Sequence, residues 1–130
     1  MFIRHKILIL DPSPIFRRTL KSVIENSESH VDVTEAGNSD QATPLIRKQV
    51  PDVVFLDIAL PRNDGIAYIA FIKSIAPKAR VVVLTSHDSL EHEAASLEQG
   101  ADYFLSKERT DGLRLIDVIH ATVRRQGEAP

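Results

Sequence analysis

The sequence contains no cysteine. That excludes a disulfide framework, a zinc–thiolate centre and thiol-based catalysis, and it suits a reducing compartment. Neither sign of charge is in excess. Sixteen basic and 18 acidic residues leave a net charge of -2, which gives no electrostatic footprint for nucleic acid. Long hydrophobic runs are missing too. The start, M-F-I-R-H-K, leads into an apolar block that stops at Asp11, too short for a signal sequence or a membrane span. There are no internal repeats and no low-complexity tracts. After that first block the chain reads Asp11-Pro12-Ser13-Pro14, where a phosphate-cradling loop would need G-x-G-x-x-G. These absences lead to the expectation of a cytoplasmic protein that binds neither nucleic acid nor membrane directly.

What remains is ordinary globular material. The chain has 130 residues, 43% hydrophobic and 26% charged, enough for one domain with a real core. Lys6–Leu10 reads as a buried strand. Pro12-Ser13-Pro14 breaks it, and Ile15, Phe16, Leu20, Val23 and Ile24 recur at helical spacing to about Asn26, with Ser13 as N-cap and Pro14 at the first helical position. Val31–Ala36 alternates apolar and polar residues, as an edge strand does. Asn38 or Ser39 caps a second helix with the stripe Ala42, Leu45, Ile46 and Val50, which Pro44 is expected to delay or kink.

Val53, Val54, Phe55 and Leu56 form a continuous apolar strand ended by Asp57. Pro61 and Asp64-Gly65 mark a loop, and Asp64 is the expected N-cap of a helix carrying Ile66, Ile69, Ala70, Ile72 and Ile75 inward. Arg80–Leu84 is the fourth strand. Ser89–Gln99 is the fourth helix, with Leu90, Ala94, Ala95 and Leu97 inward and Gly100 as C-cap. Tyr103–Leu105 is the fifth strand. Leu113, Leu115, Ile116, Val118, Ile119 and Val123 line a last helix over about Asp111–Arg125, after which the chain should fray.

Strand and helix thus alternate five times with short connections. This is the pattern of a doubly wound parallel α/β sheet covered on both faces. In such a sheet, ligands sit beyond the carboxyl ends of the strands. The residues there are Asp11, Glu35, Asp57, Thr85 and Lys107. Taken singly, each has a plain reading: Asp57 as a turn cap, Thr85 as a turn hydroxyl, Lys107 as a solvated lysine. Taken together, four of them form a chemical set. Two carboxylates on neighbouring strands can hold magnesium. A carboxylate beside that ion can attack phosphorus, and a hydroxyl and an ammonium can bind the phosphoryl oxygens.

The motifs I-L-I-L-D-P-S-P-I-F-R, P-D-V-V-F-L-D-I-A-L-P-R-N-D-G, V-V-V-L-T-S and G-A-D-Y-F-L-S-K resemble the receiver domain of two-component response regulators over almost the whole chain. The resemblance implies a flavodoxin-like (βα)5 fold with a five-stranded sheet in the order 2-1-3-4-5. It implies a receiver domain over residues 1–126, with 127–130 a frayed tail or the start of a linker. Asp57 would be the phosphoacceptor, charged by a histidine kinase or phosphotransfer protein. Magnesium would be held by Asp11, Asp57 and the Ala59 backbone carbonyl. Thr85 and Lys107 would bind the phosphoryl group, and Phe104 would rotate in response. Ala59 and His87 would tune hydrolysis. The face made by helix 4, strand 5 and helix 5 would then switch binding of a downstream protein or output domain, with a phosphorylation-linked homodimer as one outcome. The domain would act by self phosphoryl transfer rather than as an enzyme on other substrates.

Three departures bear on these expectations. The family usually has two adjacent acids after the first strand, and here Asp11 is followed by Pro12. Weakened magnesium affinity is therefore expected, and the alternative reading is a degenerate receiver that binds partners without phosphorylation. Glu35 is set aside as a substitute ligand because an edge strand keeps it distant. Lys107 is followed by Glu108 where proline is usual, so a trans bond is expected. Phe104 lacks the hydroxyl of the more usual tyrosine. A haloacid-dehalogenase-type phosphatase is a poorer match, since Ser13 stands where its general acid would be.

Overall fold

The computed structural model describes residues 3–124. The expected tail at 127–130 and the helix end at Arg125 lie outside them. Five strands, β1 (His5–Leu10), β2 (Val31–Ala36), β3 (Val53–Leu56), β4 (Arg80–Thr85) and β5 (Tyr103–Ser106), alternate with α1 (Pro14–Ser27), α2 (Ser39–Lys48), α3 (Gly65–Ile75), α4 (Leu90–Glu98) and α5 (Gly112–Val123). All neighbouring strands are parallel, in the order β2-β1-β3-β4-β5. The expected order and fold class are those observed. β3 is buried along its whole length, as its unbroken apolar run requires.

The pleat splits the core in two. Leu8, Leu10, Val54, Leu56, Val81 and Val83 pack under α2 and α3. Ile7, Ile9, Val53, Phe55, Val82 and Leu84 pack under α1 and α5. Because successive strand residues point to opposite faces, an apolar run serves both layers at once.

Several local expectations need correction. Pro44 lies inside α2, which runs unbroken from Ser39 to Lys48. Pro44 is exposed in that helix, and Ala42 and Ile46 carry the packing while Val50 stands 55% exposed beyond the end. In α3 Tyr68 is buried together with Ile69 and Ile72, and Ala70 is exposed. Gly65, Tyr68, Ile69 and Ile72 share one helical face, from which Ala70 is turned away. Asp64 occupies the N-cap position of α3 but makes no capping bond. In α4, Leu90 and Leu97 are 80% and 46% exposed, Ala94 is exposed, and Ser96 is the buried residue. The face of α4 that meets the sheet carries small and polar residues, so its leucines point outward. Leu113 of α5 likewise stands 79% exposed, off the stripe of Val118, Ile119, Thr122 and Val123.

Candidate functional site

Backbone bonds carry the sheet pairing past the strand ends and set the site. Asp57 N–H donates to Leu10 O at 2.9 Å, Asp11 N–H to Ala36 O at 3.1 Å, and Lys107 N–H to Thr85 O at 2.9 Å. Asp57 is thereby fixed beside Asp11, and Lys107 beside Thr85. The β1–α1 loop is shaped by its own side chains. Ser13 N–H donates to Asp11 Oδ1 at 2.8 Å, and Ser13 Oγ accepts from Phe16 N–H at 3.1 Å. The second bond is the N-cap of α1.

Asp11 and Asp57 are buried, at 2% and 6% exposure, and Thr85 is fully buried. The Lys107 ammonium joins both carboxylates, 2.7 Å from Asp11 Oδ2 and 2.9 Å from Asp57 Oδ2. The other Asp57 oxygen, Oδ1, accepts from Thr85 Oγ1 at 2.6 Å and from Ala59 N–H at 2.9 Å. Thr85 Oγ1 in turn accepts from His87 N–H at 3.1 Å. Burial works against the charge on Lys107, but the hydrogen bonds and charges of Asp11 and Asp57 outweigh it and raise its pKa above the ordinary lysine value. Two carboxylates and one ammonium leave a net negative pocket.

The expected residues divide into two groups. Asp11, Asp57, Thr85, Lys107 and the Ala59 backbone converge. Phe104 does not join them. It is half-buried beside the α2–α3 core and borders a groove of about 430 Å³ with Leu90, Ser106 and Arg109. The His87 side chain is exposed beside His92, ring centroids 5.6 Å apart. Glu35 pairs with Arg17 at 3.1 Å, so it is engaged elsewhere. No cis peptide occurs among the described residues, so Lys107–Glu108 is trans, and Glu108 accepts a hydrogen bond from Ser86 Oγ.

Four contacts escaped the sequence reading. Arg17 donates to Asp11 O at 2.6 Å. Asp88 accepts from Ser106 Oγ at 2.6 Å and pairs with Arg109 at 2.9 Å, tying the loops after β4 and β5 together. The Phe16 ring lies under Lys107, with Nζ 4.0 Å from its centroid. Helical spacing marked Phe16 only as core.

The donor set is compatible with magnesium. The carboxylates offer hard oxygens in a negative pocket, the chemistry Mg²⁺ prefers, and that ion keeps several waters. Among the described residues no group of three or more acidic or histidine side chains converges. The two carboxylates that meet in this pocket are those of Asp11 and Asp57.

The model of the response regulator receiver domain family matches residues 7–120, and the chain belongs to that family. It is 34% identical over 104 residues to the transcriptional regulatory protein MctR of Rhizobium johnstonii, covering 79% of this chain and 48% of MctR. It is 31% identical over 103 residues to the chemotaxis protein CheY of Bacillus subtilis, covering 79% of this chain and 85% of CheY. Among solved structures, a response regulator of Burkholderia pseudomallei with a phosphorylated aspartic acid, calcium ion and citrate superposes with a TM-score of 0.78. It is 26% identical, over 92% of this chain and 66% of that one. The chain spans about half the length of the transcriptional regulators heading the matches. Among the described residues no helix is long and apolar enough to cross a membrane.

Proposed function

We propose that this receiver domain is a phosphoacceptor switch in which Asp57 takes a phosphoryl group from a histidine kinase or phosphotransfer protein in the cytoplasm. The observation that carries the reading is the convergence on one buried carboxylate of a hydroxyl donor, a backbone N–H donor and an ammonium. An Asp57 oxygen attacks phosphorus, and the bond to the donor's leaving atom breaks with its electron pair. Lys107 and Thr85 are within reach of the oxygens of the incoming group, where phosphoryl transfer most needs positive charge and hydrogen bonds. Magnesium, when bound by Asp11, Asp57 and the Ala59 carbonyl, supplies further neutralisation of phosphoryl charge. With Pro12 in place of a second acid, its affinity is reduced.

Transfer moves charge onto a site that Thr85 bridges to the loop before α4. The outward-facing Leu90, Leu97 and Leu113 and the half-buried Phe104 give the α4–β5–α5 face an apolar surface. Phosphorylation biases the arrangement of that face and so its hold on a downstream protein, an output domain or a second copy of the chain. Ala59 offers no polar side chain to orient a water, and His87, two residues after Thr85, is the candidate for tuning hydrolysis.

The test is incubation with acetyl phosphate and magnesium, followed by intact mass. One added phosphoryl group is expected, absent in Asp57→Asn. No addition, or addition that survives the substitution, overturns the reading. Pro12 favours one rival, a receiver that binds partners unphosphorylated. Saturable partner binding by Asp57→Asn equal to that of phosphorylated wild type, with no saturable magnesium binding, would establish it instead.

A further inference from the structure

Lys107 Nζ has three close contacts among the described residues: the Asp11 carboxylate, the Asp57 carboxylate and the face of the Phe16 ring. The proposed chemistry makes claims on the first two. Asp57 is consumed as the nucleophile, so Lys107 must pass from its oxygen to a phosphoryl oxygen. Asp11 is claimed by the metal. The ring is the contact that the reaction leaves alone.

We infer that Phe16 is a positioning residue for Lys107, holding the ammonium over its ring face while the lysine exchanges a carboxylate for a phosphoryl oxygen. The inference rests on the phosphoacceptor reading. A ring face attracts a cation within about 6 Å of its centroid, more strongly where water is excluded, and the Lys107 side chain is 16% exposed. Phe16 is itself held in place. Its N–H is capped by Ser13 Oγ, Ser13 N–H is bonded to Asp11, and its ring packs at the margin of the α1–α5 core. The single stretch Asp11–Phe16 thus supplies both an anionic and an aromatic partner to one lysine. Phe16 as a mere core residue would not depend on the charge distribution of its ring.

The experiment separates shape from charge. Position 16 is occupied in turn by phenylalanine, 4-fluoro-, 3,5-difluoro- and pentafluorophenylalanine, which drain the ring face with little change of shape, and by Phe16→Leu. Each protein is phosphorylated with acetyl phosphate at saturating magnesium, and the Lys107 ammonium protons are followed by NMR. Phenylalanine should place those protons upfield through its ring current, and Phe16→Leu should lose the displacement. The phosphorylation rate should fall stepwise with fluorination, to about fivefold at pentafluorophenylalanine, the equivalent of about 1 kcal/mol, while thermal stability changes little. A rate that is flat across the fluorine series, or ammonium shifts that Phe16→Leu does not alter, overturns this inference alone. Wild-type protein that takes up no phosphoryl group overturns the phosphoacceptor reading beneath it.

Discussion

Lys107 is bonded to Asp11 at 2.7 Å, as closely as to the proposed nucleophile. It thus sits as a cation in the pocket where magnesium is proposed to bind. A second positive charge there must compete with it, and one carboxylate fewer worsens the competition. Lys107→Met should therefore raise magnesium affinity while slowing phosphorylation of Asp57. Pro12→Asp should also raise affinity, by about tenfold for one added charge near the ion in a partly solvated site, and should speed phosphorylation. Calorimetric titration with magnesium reads both. Unchanged affinity in both variants would remove the pocket as the metal's location.

Gly65 is required for space. An added Cβ would stand 2.2 Å from the Ile58 carbonyl oxygen and 2.5 Å from its Cα. Neither is the end of a flexible side chain, so the backbone between Asp57 and α3 would have to shift. Gly65→Ala should cost about 3 kcal/mol in urea unfolding, and in the fraction that folds it should slow phosphorylation, because Ile58 directly follows Asp57. Gly112→Ala is the control: a Cβ there meets nothing within 4 Å.

The strand pattern and the strand-end set were legible in sequence because β periodicity and continuous apolar runs are local signals, and parallel topology then brings the carboxyl ends together. What was not legible depended on tertiary placement. Leu90, Leu97 and Leu113 look like core by hydropathy, yet the faces of α4 and α5 that meet the sheet exclude them. Pro44 carries a helix-breaking signal that packing by Ala42 and Ile46 overrides. Phe16 lay on an apolar stripe, and nothing in its spacing foretold a lysine 91 positions away in the chain across its ring. The missing acid at Pro12 is legible in the sequence, whereas the binding of Lys107 by Asp11 depends on how β1 and β5 are brought together in the sheet.

Alkaline pH should loosen the fold through two groups. The Tyr68 hydroxyl is raised in pKa, burial outweighing its 2.7 Å bond with Thr43. Lys107 is raised as well, its carboxylate partners outweighing burial. A group whose folded pKa lies above its unfolded value contributes stability below the unfolded pKa and loses it as pH rises through the folded one. The unfolded values are about 10 and 10.5, so wild-type stability should be level to about pH 9.5 and decline above it. Tyr68→Phe, which costs about 1 kcal/mol at neutral pH, and Lys107→Met should each decline less steeply. Urea midpoints between pH 8 and 11 measure this, and slopes identical to wild type would contradict it.

Thr85 offers the sharpest separation between a structural and a chemical role. Its hydroxyl is fully buried, donates to Asp57 at 2.6 Å and accepts from His87 N–H at 3.1 Å. Thr85→Val keeps the shape and removes both bonds, one of them to a charged group, so a loss of about 2 kcal/mol is expected. Thr85→Ser keeps the hydroxyl and should lose less than that through the missing methyl. If the hydroxyl only closed the turn before α4, Thr85→Val would lower stability and leave phosphorylation by acetyl phosphate and its decay untouched. If it binds the phosphoryl group, Thr85→Val should also weaken the coupling between Asp57 and the α4 face. Partner or self-association then no longer responds to phosphorylation, while Thr85→Ser still responds. Mass spectrometry for the phosphoryl group, paired with sedimentation before and after phosphorylation, distinguishes the two. A Thr85→Val protein that is phosphorylated and switches like wild type would confine Thr85 to the turn.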